Sequence, residues 1–388
     1  MSTTAKAHGL NGNLVEPDWP PLTLGEVRAL LSLFPGCGEP IEILSVSPRP
    51  FSAASVVATK SGRVFVKRHH RSVRDREGLL EEHRFMRHLR ENGAKVPRVL
   101  SAFSGETAIE IGEWTFEVHE VPAGVDLYED AISWTPFRSS AHARSAGEAL
   151  ARLHLASLRF DAPRRKTQPL VAGFTIFAAE DSGAAAELYL AARPALAEDA
   201  VAREGCDEAL ELLAPFHAEL KPLLPALKPL WTHNDLHASN LLWSDASDDA
   251  RAVAVIDFGL ADRTNAMHDL AQAIERNIVE WLDLMEDSTR GEVRVHIDHL
   301  EAMLDGYQQV RPLSEDEAAA LAPMTALCHA EFALTEADYF LGVLHSKENA
   351  RIASKDYLVG HARWFRGASG RKLLDAIRRW VASRKRVE

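Results

Sequence analysis

The spacing of apolar and polar positions is typical of strands in the first part of the chain and of helices in most of the rest. Between residues 41 and 67 the apolar positions come in short runs rich in Val and Ile, and Ser61 and Gly62 separate two of them. Such runs are typical of strands, so this segment predicts a meander of three strands. Just before it, Thr23 and Glu26 have the spacing of a capping box, which predicts a short helix that begins there.

The pattern becomes helical in residues 75–92, where apolar side chains recur at helical spacing among charges and Gly93 follows. Two more strand segments, residues 96–103 and 107–122, complete this part of the chain. The expected structure is an N-terminal lobe of about five antiparallel strands with one main helix.

Beyond Pro122 and Gly124, which interrupt the strand pattern, the chain is mostly helical. We predict helices in residues 142–158, 267–285, 293–307, 326–345 and 370–383, and one more after a capping box at residues 314–317. We therefore divide the chain into a flexible N-terminal arm (residues 1–22), a β-rich lobe (residues 23–122) and a helical lobe (residues 123–388).

The composition excludes several classes of protein. The net charge of -12 is unfavourable for nucleic-acid binding, which needs a cationic surface. No run approaches the roughly 18 apolar residues of a membrane helix, and the N-terminus lacks the apolar core of a signal peptide. The three cysteines are too far apart for a disulfide framework or a zinc cluster. We expect a cytoplasmic protein without a nucleic-acid or membrane partner.

Residues 231–259 hold the side chains that carry chemistry. Asp235 follows His233, Asn240 comes soon after, and a predicted hairpin returns Asp257, in the sequence Asp-Phe-Gly, to the same cleft. In kinases one aspartate accepts the proton of the attacking hydroxyl, while an asparagine and a second aspartate hold Mg²⁺. The order therefore predicts Asp235 as the base, Asn240 and Asp257 as metal ligands, and His233 as a residue that shapes the loop.

Two other interpretations of this stretch explain less of it. The alternation of His233, Asp235 and His237 suits a transition-metal site, but that site would leave Asn240 and the Asp-Phe-Gly sequence unexplained. If these residues only capped turns, each would be explained separately and their joint order would not. The combined pattern favours phosphoryl transfer.

The segments HNDLHASNLLW and VAVIDFGLAD resemble the catalytic loop and the metal-binding strand of the aminoglycoside phosphotransferase and choline kinase superfamily. His237, two residues after the predicted base, distinguishes this superfamily from protein kinases, and the resemblance covers roughly residues 41–273. It implies an α+β, protein-kinase-like fold of two lobes, with ATP and Mg²⁺ in the cleft between them. The β-rich lobe would then bind the nucleotide, and the helical lobe would hold the catalytic loop and the substrate site.

The resemblance also assigns roles in the N-terminal lobe. Lys67 matches the lysine that pairs with the α- and β-phosphates of ATP, and Glu82 matches its carboxylate partner. Glu81 is a rival to Glu82, because adjacent residues point about 100° apart on a helix. From composition alone these would be ordinary surface charges. Their position relative to the strand, the helix and the catalytic loop favours the functional interpretation of Lys67.

The remaining expected nucleotide contacts fall in two loops. Glu120 and Val121 match the hinge between the lobes, which contacts adenine through backbone groups. Ser52 lies in the loop 48–55, which has the place of a cover over the phosphates but lacks a glycine-rich fingerprint. Taken by itself, the sequence of this loop is more typical of a plain connection between two strands than of a nucleotide-binding loop. Phe65 departs from the small residue that protein kinases hold two positions before the lysine.

We expect an ATP- and Mg²⁺-dependent phosphotransferase that acts on a hydroxyl of a small molecule, with aminoglycoside-, amino alcohol- and homoserine-like acceptors all open. A catalytically weak ATP-binding regulatory module and a kinase for protein Ser or Thr are the alternatives. Four acidic residues after the Asp-Phe-Gly sequence fit either an amine-binding surface or a solvated face. They are Asp262, Glu275, Glu280 and Asp283. The basic C-terminal segment is typical of a solvated helix face rather than a site for an anionic partner. Its members are Arg371, Lys372, Arg378, Arg379, Arg384, Lys385 and Arg386.

Overall fold

A five-stranded antiparallel sheet forms the N-terminal part of the computed structural model, which describes residues 7–8, 14–286 and 293–384. Its strands are β3 (Pro40–Val46), β4 (Ala53–Thr59), β5 (Gly62–His70), β6 (Ile109–Ile111) and β7 (Trp114–Glu120), preceded by the short pair β1 (Ala7–His8) and β2 (Leu14–Val15). Their order in the sheet is β3-β4-β5-β7-β6, which confirms the predicted antiparallel lobe.

Alternation along β5 decides which side chains face the cleft. Val66 is fully buried in an apolar cluster that also holds Val27 of the helix α1 (Leu24–Leu31). Because successive side chains of a strand point to opposite faces, Lys67 lies on the other face, opposite Glu117 of β7 in the register. The same alternation that builds the core of the sheet therefore presents the lysine to the cleft.

Both helices predicted for this lobe are confirmed, as are the capping box before the first and the glycine after the second. In the capping box before α1, the Thr23 hydroxyl accepts from the backbone N–H of Glu26 at 3.2 Å, and the Glu26 carboxylate accepts from that of Thr23 at 2.9 Å. Helix α2 (Arg76–Glu91) begins after Asp75, whose side chain accepts from the third N–H of the helix at 2.7 Å. Gly93 follows the end of α2 with a φ of 86°, a conformation that glycine adopts at little cost.

Residues 96–103 do not form the strand that their pattern predicts. Backbone hydrogen bonds at Leu100 and Arg98 and one bridge at Val99 join them to β7. Pro97 has no N–H to donate, so the pairing stays too short for a regular strand. The edge of the sheet is formed instead by β6, which pairs with β7 in a hairpin.

The chain beyond the sheet is mainly helical, as predicted. Among its described helices, none combines the length and the apolar character that crossing a bilayer requires. The helices are α3 (Ser140–Ser157), α4 (Ser182–Ala191), α5 (Pro194–Glu198), α6 (Ala200–Leu220), α7 (Ala266–Ile278), α8 (Trp281–Glu286), α9 (Ile297–Val310), α10 (Glu315–Leu327), α11 (His329–Gly342), α12 (Lys347–Arg351), α13 (Gly360–Arg366) and α14 (Ala368–Arg384), with a π-helical segment (Ile352–Val359) before α13. Two short antiparallel pairs accompany them: β8 (Pro229–Thr232) with β11 (Asp262–Asn265), and β9 (Leu241–Trp243) with β10 (Ala252–Val255).

The single helix predicted for residues 267–285 is in fact two helices, α7 and α8. Val279 between them is extended, with a φ of -114° and a ψ of 138°, and forms an antiparallel bridge with Val295. Val279 and Trp281 are both fully buried. The apolar pattern therefore continues across the break, and periodicity does not reveal it.

The described end of the predicted N-terminal arm contacts both lobes. Trp19 stacks on His70 of β5 with ring centroids 4.8 Å apart, and Tyr339 of α11 donates its hydroxyl to Asp18 at 2.8 Å. Residues 1–6 and 9–13 of the arm lie outside the described residues. Where the structure describes it, the segment next to α1 is thus attached to the rest of the protein.

The basic C-terminal segment makes contacts within the helical lobe. Arg378 of α14 pairs with Glu219 of α6 at 2.9 Å, and Arg384 donates to the carbonyl of Leu313 at 2.6 Å. Lys385 and Arg386 lie outside the described residues. Arg371, Lys372, Arg378 and Arg379 are exposed, which agrees with the expectation of a solvated helix face.

Candidate active site

Asp269, in the first turns of α7, holds the backbone of the loop 233–240 between β8 and β9. Its two carboxylate oxygens accept hydrogen bonds from the backbone N–H groups of His233 at 2.9 Å and Asn234 at 2.7 Å. His154 of α3 contacts the same carboxylate at 2.9 Å. Burial alone would raise the pKa of Asp269. The hydrogen bond from His154, together with the other groups around Asp269, outweighs burial and lowers this pKa below its ordinary value. A buried, ionised carboxylate therefore fixes the start of the loop.

Asn234 takes the left-handed backbone conformation in this loop, with a φ of 60°. Asparagine tolerates that region better than most residues. Its side-chain oxygen accepts hydrogen bonds from the hydroxyls of Thr232 at 2.8 Å and Thr264 at 3.1 Å. These bonds hold Asn234 at the position where the aminoglycoside phosphotransferase and choline kinase superfamily commonly has glycine. The next residue, Asp235, reaches the cleft.

Asp235 lies between a buried cation and an amide. Its Oδ1 is 3.3 Å from Nη2 of Arg276, and its Oδ2 accepts a hydrogen bond of 3.2 Å from Nδ2 of Asn240. Burial raises the pKa of the Asp235 carboxyl, and the charge of Arg276 opposes that rise. Arg276 thus favours the ionised form, which is the form that accepts a proton.

The hairpin of β9 and β10 places Asp257 next to Asn240, as predicted. The N–H of the residue before Asp257 donates to the carbonyl of Asn240 at 2.9 Å. Asp257 has a φ of 59°, and its Oδ1 accepts from the N–H of Gly259 at 3.3 Å and from Nζ of Lys67 at 2.9 Å. Burial would raise the pKa of Asp257, but Lys67 outweighs burial and lowers the pKa to about 2.

Lys67 donates its hydrogen bond to Asp257, whereas the expected partner was Glu82. The charges around the lysine, Asp257 first and Glu82 among them, outweigh burial and raise its pKa above the ordinary value. Glu82 is itself buried, at 2% exposure. Glu81 pairs elsewhere, with its Oε2 at 3.5 Å from Nε of Arg165. The charge of Glu82 therefore acts on the lysine, while a direct pairing of Glu82 with Lys67 stays a prediction.

Three histidines surround the buried Glu117, the cross-strand neighbour of the lysine. The Glu117 carboxylate lies 3.0 Å from Nε2 of His69 and 2.8 Å from Nε2 of both His83 and His119. Burial would raise the pKa of Glu117, but these histidines, His119 foremost, hold it well below its usual range. The carboxylate of Glu117 thereby acts as a negative charge on Lys67. The members of this cluster come from β5, α2 and β7, so their spacing in the sequence gave no signal.

Two cavities meet at Lys67, Asn240 and Asp257, which line both of them. The larger cavity, of about 440 Å³, extends under the sheet and includes the predicted hinge residues Glu120 and Val121 in its lining. The smaller cavity, of about 130 Å³, extends toward the helical lobe. The predicted phosphate anchor and metal ligands thus lie at one junction.

The loop 48–55 covers this junction with an arginine rather than with glycines. Arg49 donates from Nη1 to the hydroxyl of Ser133 at 2.8 Å and from Nη2 to the carbonyl of Ala131 at 3.2 Å, and it lines both cavities. Arg49 was missed because one arginine in a polar loop carries no distinguishing pattern. Ser52 lines the smaller cavity. Its contact with the nucleotide stays a prediction.

The smaller cavity joins Asp235 to two charged residues of the helical lobe, Arg276 of α7 and Glu336 of α11. The guanidinium group of Arg276 lies 4.4 Å from the ring centroid of Trp134 and 4.0 Å from that of Phe332. None of these four helical-lobe side chains was predicted, because distant segments of the chain supply them. The sequence does show Arg276 and Glu336 as charged residues within largely apolar helical runs. That pattern is equally typical of ordinary surface residues, so it does not identify a site.

The four acidic residues that were predicted as amine-binding candidates do not line the smaller cavity. Three of them make contacts inside the helical lobe: Asp262 with the backbone of Arg165, Glu275 with His361, and Glu280 with His296. Asp283 is exposed.

His233 and His237 make hydrogen bonds that shape the loop. Nδ1 of His233 accepts from the backbone N–H of Asp235 at 3.2 Å, and Nε2 donates to the carbonyl of Ile256 at 3.0 Å. Nδ1 of His237 contacts the hydroxyl of Ser239 at 2.9 Å. Since both ring nitrogens of His233 are engaged, the transition-metal interpretation has no support here, and the loop-shaping role of His233 agrees with its contacts.

Residues 51–313 match the model of the phosphotransferase enzyme family, APH, which is more than half of the chain. The chain belongs to this family. The match confirms the predicted superfamily and, with it, the predicted class of phosphotransferase.

Two homoserine kinases are relatives of this phosphotransferase. The one from Rhodospirillum rubrum is 29% identical over 61% of this chain, and the one from Xanthobacter autotrophicus is 30% identical over 70% of it. The aligned regions span 62% and 72% of those two proteins, so the first is matched over less than two thirds of its length.

Solved kinase structures share the fold of this phosphotransferase. The microcompartment-associated aminopropanol kinase is similar with a TM-score of 0.57 and 18% identity, over 91% of this chain and 98% of that one. An amicoumacin kinase in complex with AMP-PNP and Ca²⁺ gives a TM-score of 0.53 and 14% identity, over 87% of this chain and 93% of that one. At these identities the likeness concerns the fold alone, and it confirms the kinase-like α+β architecture.

Proposed function

We propose that this protein transfers the γ-phosphate of ATP to the hydroxyl group of a small, amine-bearing molecule such as a hydroxy amino acid or an amino alcohol. The observation that carries the proposal is the junction of the two cavities. Lys67, Asn240 and Asp257 line both cavities, and Asp235 lines only the smaller one. Phosphoryl transfer depends mainly on positioning and charge neutralisation, and this junction offers groups for both.

The larger cavity would hold ATP. Its volume of about 440 Å³ falls in the range of about 300–1,000 Å³ that is usual for ligand pockets. The hinge at Glu120 and Val121 would offer backbone groups to adenine, and Lys67 would pair with the phosphates.

Asn240 and Asp257 fit the Mg²⁺ ion that this chemistry needs. Mg²⁺ prefers oxygen ligands and is usually held by one or two carboxylates together with substrate phosphates. Nδ2 of Asn240 donates to the carbonyl of Asp235 at 2.9 Å, which leaves Oδ1 as the ligand atom of the amide. The bound ion would neutralise the charge of the transferred phosphate.

Asp235 would accept the proton of the acceptor hydroxyl. The hydroxyl oxygen forms its bond to the γ-phosphorus, the bond from that phosphorus to the bridging oxygen breaks, and ADP leaves. Arg276 supports this role because its charge opposes the rise in the pKa of Asp235 that burial causes. The hydrogen bond from Asn240 fixes the orientation of the same carboxylate.

The smaller cavity, from here on the acceptor cavity, favours a small acceptor. Its volume of about 130 Å³ is well below the range of about 300–1,000 Å³ of pockets for drug-sized ligands. A molecule the size of an aminoglycoside or a folded protein segment would not be enclosed there. The homoserine kinase relatives further support a hydroxy amino acid or a closely related amino alcohol.

A transfer assay with ATP and Mg²⁺ tests this function against L-homoserine, amino alcohols, sugars and aminoglycosides. We expect phosphate transfer to a small amine-bearing alcohol. Asp235→Asn should lower kcat by about 10²- to 10⁴-fold, because it removes the proton acceptor, and should leave the Kd for ATP unchanged.

Asp245→Asn is the matched control, since Asp245 is an exposed aspartate in the turn after β9, and it should keep full activity. Turnover of Asp235→Asn near the wild-type rate would remove Asp235 from the role of base. Tight ATP binding without transfer to any compound would favour the regulatory module instead. Both predicted metal ligands lie at the junction and the predicted base lies beside them in the acceptor cavity, which argues for the enzyme.

A further inference from the structure

Glu336 is a buried acid of the acceptor cavity with an oxygen that lacks a partner among the described residues. The residue is 4% exposed, and its Oε2 makes no hydrogen bond to any residue that the structure describes. It lies one helical turn after Phe332 on α11, so both side chains reach the same face of the helix. Buried carboxylates are normally paired or hydrogen-bonded. The structure therefore leaves room for a partner that comes from outside the chain.

Arg276 does not fill this role, although it lines the same cavity. Within 4.0 Å, its ion pairs in the described part of the chain are with Asp235 and Glu275. Its guanidinium group is also held between the rings of Trp134 and Phe332. Arg276 opposes the effect of burial on Glu336, yet burial prevails and raises the pKa of Glu336 to about 8.

An ammonium group is the ligand chemistry that satisfies this carboxylate. A neutral hydroxyl would supply a hydrogen bond but would leave the buried charge uncompensated. An ammonium group supplies both a donor and the opposite charge, and such charge-assisted hydrogen bonds are the stronger class. The acceptor would then contact Asp235 through its hydroxyl and Glu336 through its amine.

We propose that Glu336 binds the ammonium group of the acceptor and thereby makes the enzyme selective for primary amines that also carry a hydroxyl. The inference rests on the proposed function, since it assumes that the cavity beside Asp235 receives the acceptor. It assigns Glu336 to recognition and leaves the transfer step to Asp235.

Three small molecules distinguish the contribution of the amine to recognition from that of the rest of the acceptor. L-homoserine has an amine and a carboxylate, 3-aminopropan-1-ol lacks the carboxylate, and 4-hydroxybutanoate lacks the amine. The wild-type enzyme should prefer both amines to 4-hydroxybutanoate in kcat/KM by about 10- to 100-fold, the scale of one charge-assisted hydrogen bond.

Glu336→Gln keeps the size of the side chain and removes its charge. It should lower kcat/KM for L-homoserine and 3-aminopropan-1-ol by about 10- to 100-fold and leave that for 4-hydroxybutanoate unchanged. A purely structural role would lower all three values alike and would overturn the inference. Asp283→Asn is the control, because it removes an exposed acidic charge outside the cavity, and it should keep the wild-type preference.

A binding measurement distinguishes failure of this inference from failure of the proposed function. Calorimetric titration of the three compounds into protein with AMP-PNP and Mg²⁺ requires no turnover. Amine binding that weakens in Glu336→Gln, without phosphate transfer in the wild type, would support Glu336 and overturn the proposed function. Equal affinity of the wild type for the amines and 4-hydroxybutanoate, or no binding of any of them, would overturn the inference even if the variant failed to fold.

Discussion

Burial alone would raise the pKa of each of the three carboxylates that line the acceptor cavity. Asp257 is kept ionised by Lys67, at 2.9 Å, and Asp235 is supported by Arg276, at 3.3 Å. Glu336, the third acid that lines this cavity, has no ion pair within 4.0 Å in the described part of the chain. A buried acid whose ionised form has no cationic partner within the described part of the chain is what a site for a cationic substrate requires.

This imbalance predicts a pH dependence for amine-bearing acceptors. Arg276 and Glu275 from α7, Asp235 from the loop and Tyr357 from the π-helical segment interact with Glu336 through their charges. Tyr357, Asp356 and His361 also line a small cavity together with Glu336. Burial raises the pKa of Glu336 to about 8, and only its ionised form attracts an ammonium group. kcat/KM for 3-aminopropan-1-ol should therefore fall as the pH drops below about 8, by up to about tenfold per unit.

Two reference profiles decide whether that fall belongs to Glu336. The profile for 4-hydroxybutanoate with the wild type, and that for 3-aminopropan-1-ol with Glu336→Gln, should both lack it. A fall shared by all three would assign the titration to another group, such as Asp235. The amine of the acceptor loses its own charge only at about pH 10, so that effect appears at the alkaline end of the profile.

The residues that could be predicted are those whose spacing is set by local geometry. A strand, a tight loop and a hairpin fix the distance along the chain from Asp235 to Asn240 and Asp257, so their order alone predicts one site. Arg276 and Glu336 meet the base only through the packing of α7 and α11. No local spacing encodes that packing, and the acidic candidates proposed from the sequence were the wrong ones for this cavity.

At the scale of elements, the hydrophobic stripe fixes which face of a helix is buried but not which partner covers it. Helices α3 and α9 were both predicted from such stripes, but their pairing was not. A Cβ atom at Gly147 of α3 would lie 2.0 Å from the carbonyl oxygen of Met303 of α9, and one at Gly306 would lie 2.1 Å from that of Arg144. The two backbones approach this closely only because both positions are glycine.

Gly147→Ala should therefore destabilise the protein by about 1–3 kcal/mol, the usual cost of overpacking. Helix propensity alone predicts the opposite sign, since alanine is the better helix former by about 1 kcal/mol. Urea unfolding would measure the difference, with Gly25→Ala as the control. A Cβ atom at Gly25 of α1 has its nearest neighbour at 4.0 Å, so that variant should be neutral or more stable. Increased stability of Gly147→Ala would contradict the close contact of α3 and α9.

At the scale of the whole molecule, contacts between distant segments connect the sheet to the helical lobe at the cleft. Lys67 of β5 pairs with Asp257, Arg49 donates to Ser133, and Asp18 of the arm accepts from Tyr339. The two periods of the sequence predict the two lobes and the antiparallel sheet. They do not predict these contacts, because each joins segments whose separation along the chain is unrelated to any repeat.

The pairing of Lys67 with Asp257 leads to a prediction about nucleotide binding. A ligand that binds only the folded state stabilises it by about 2.7 kcal/mol at 100 times its Kd, so AMP-PNP with Mg²⁺ should raise the unfolding temperature by a few degrees. In Lys67→Met this shift should shrink to less than half, because the phosphates lose their cation. Lys60→Met is the matched control, since Lys60 is an exposed lysine in the adjacent turn, paired with Glu39 at 2.6 Å. It should keep the full shift. A full shift in Lys67→Met would mean that the phosphates are bound by other groups, with Arg49 the next residue to substitute.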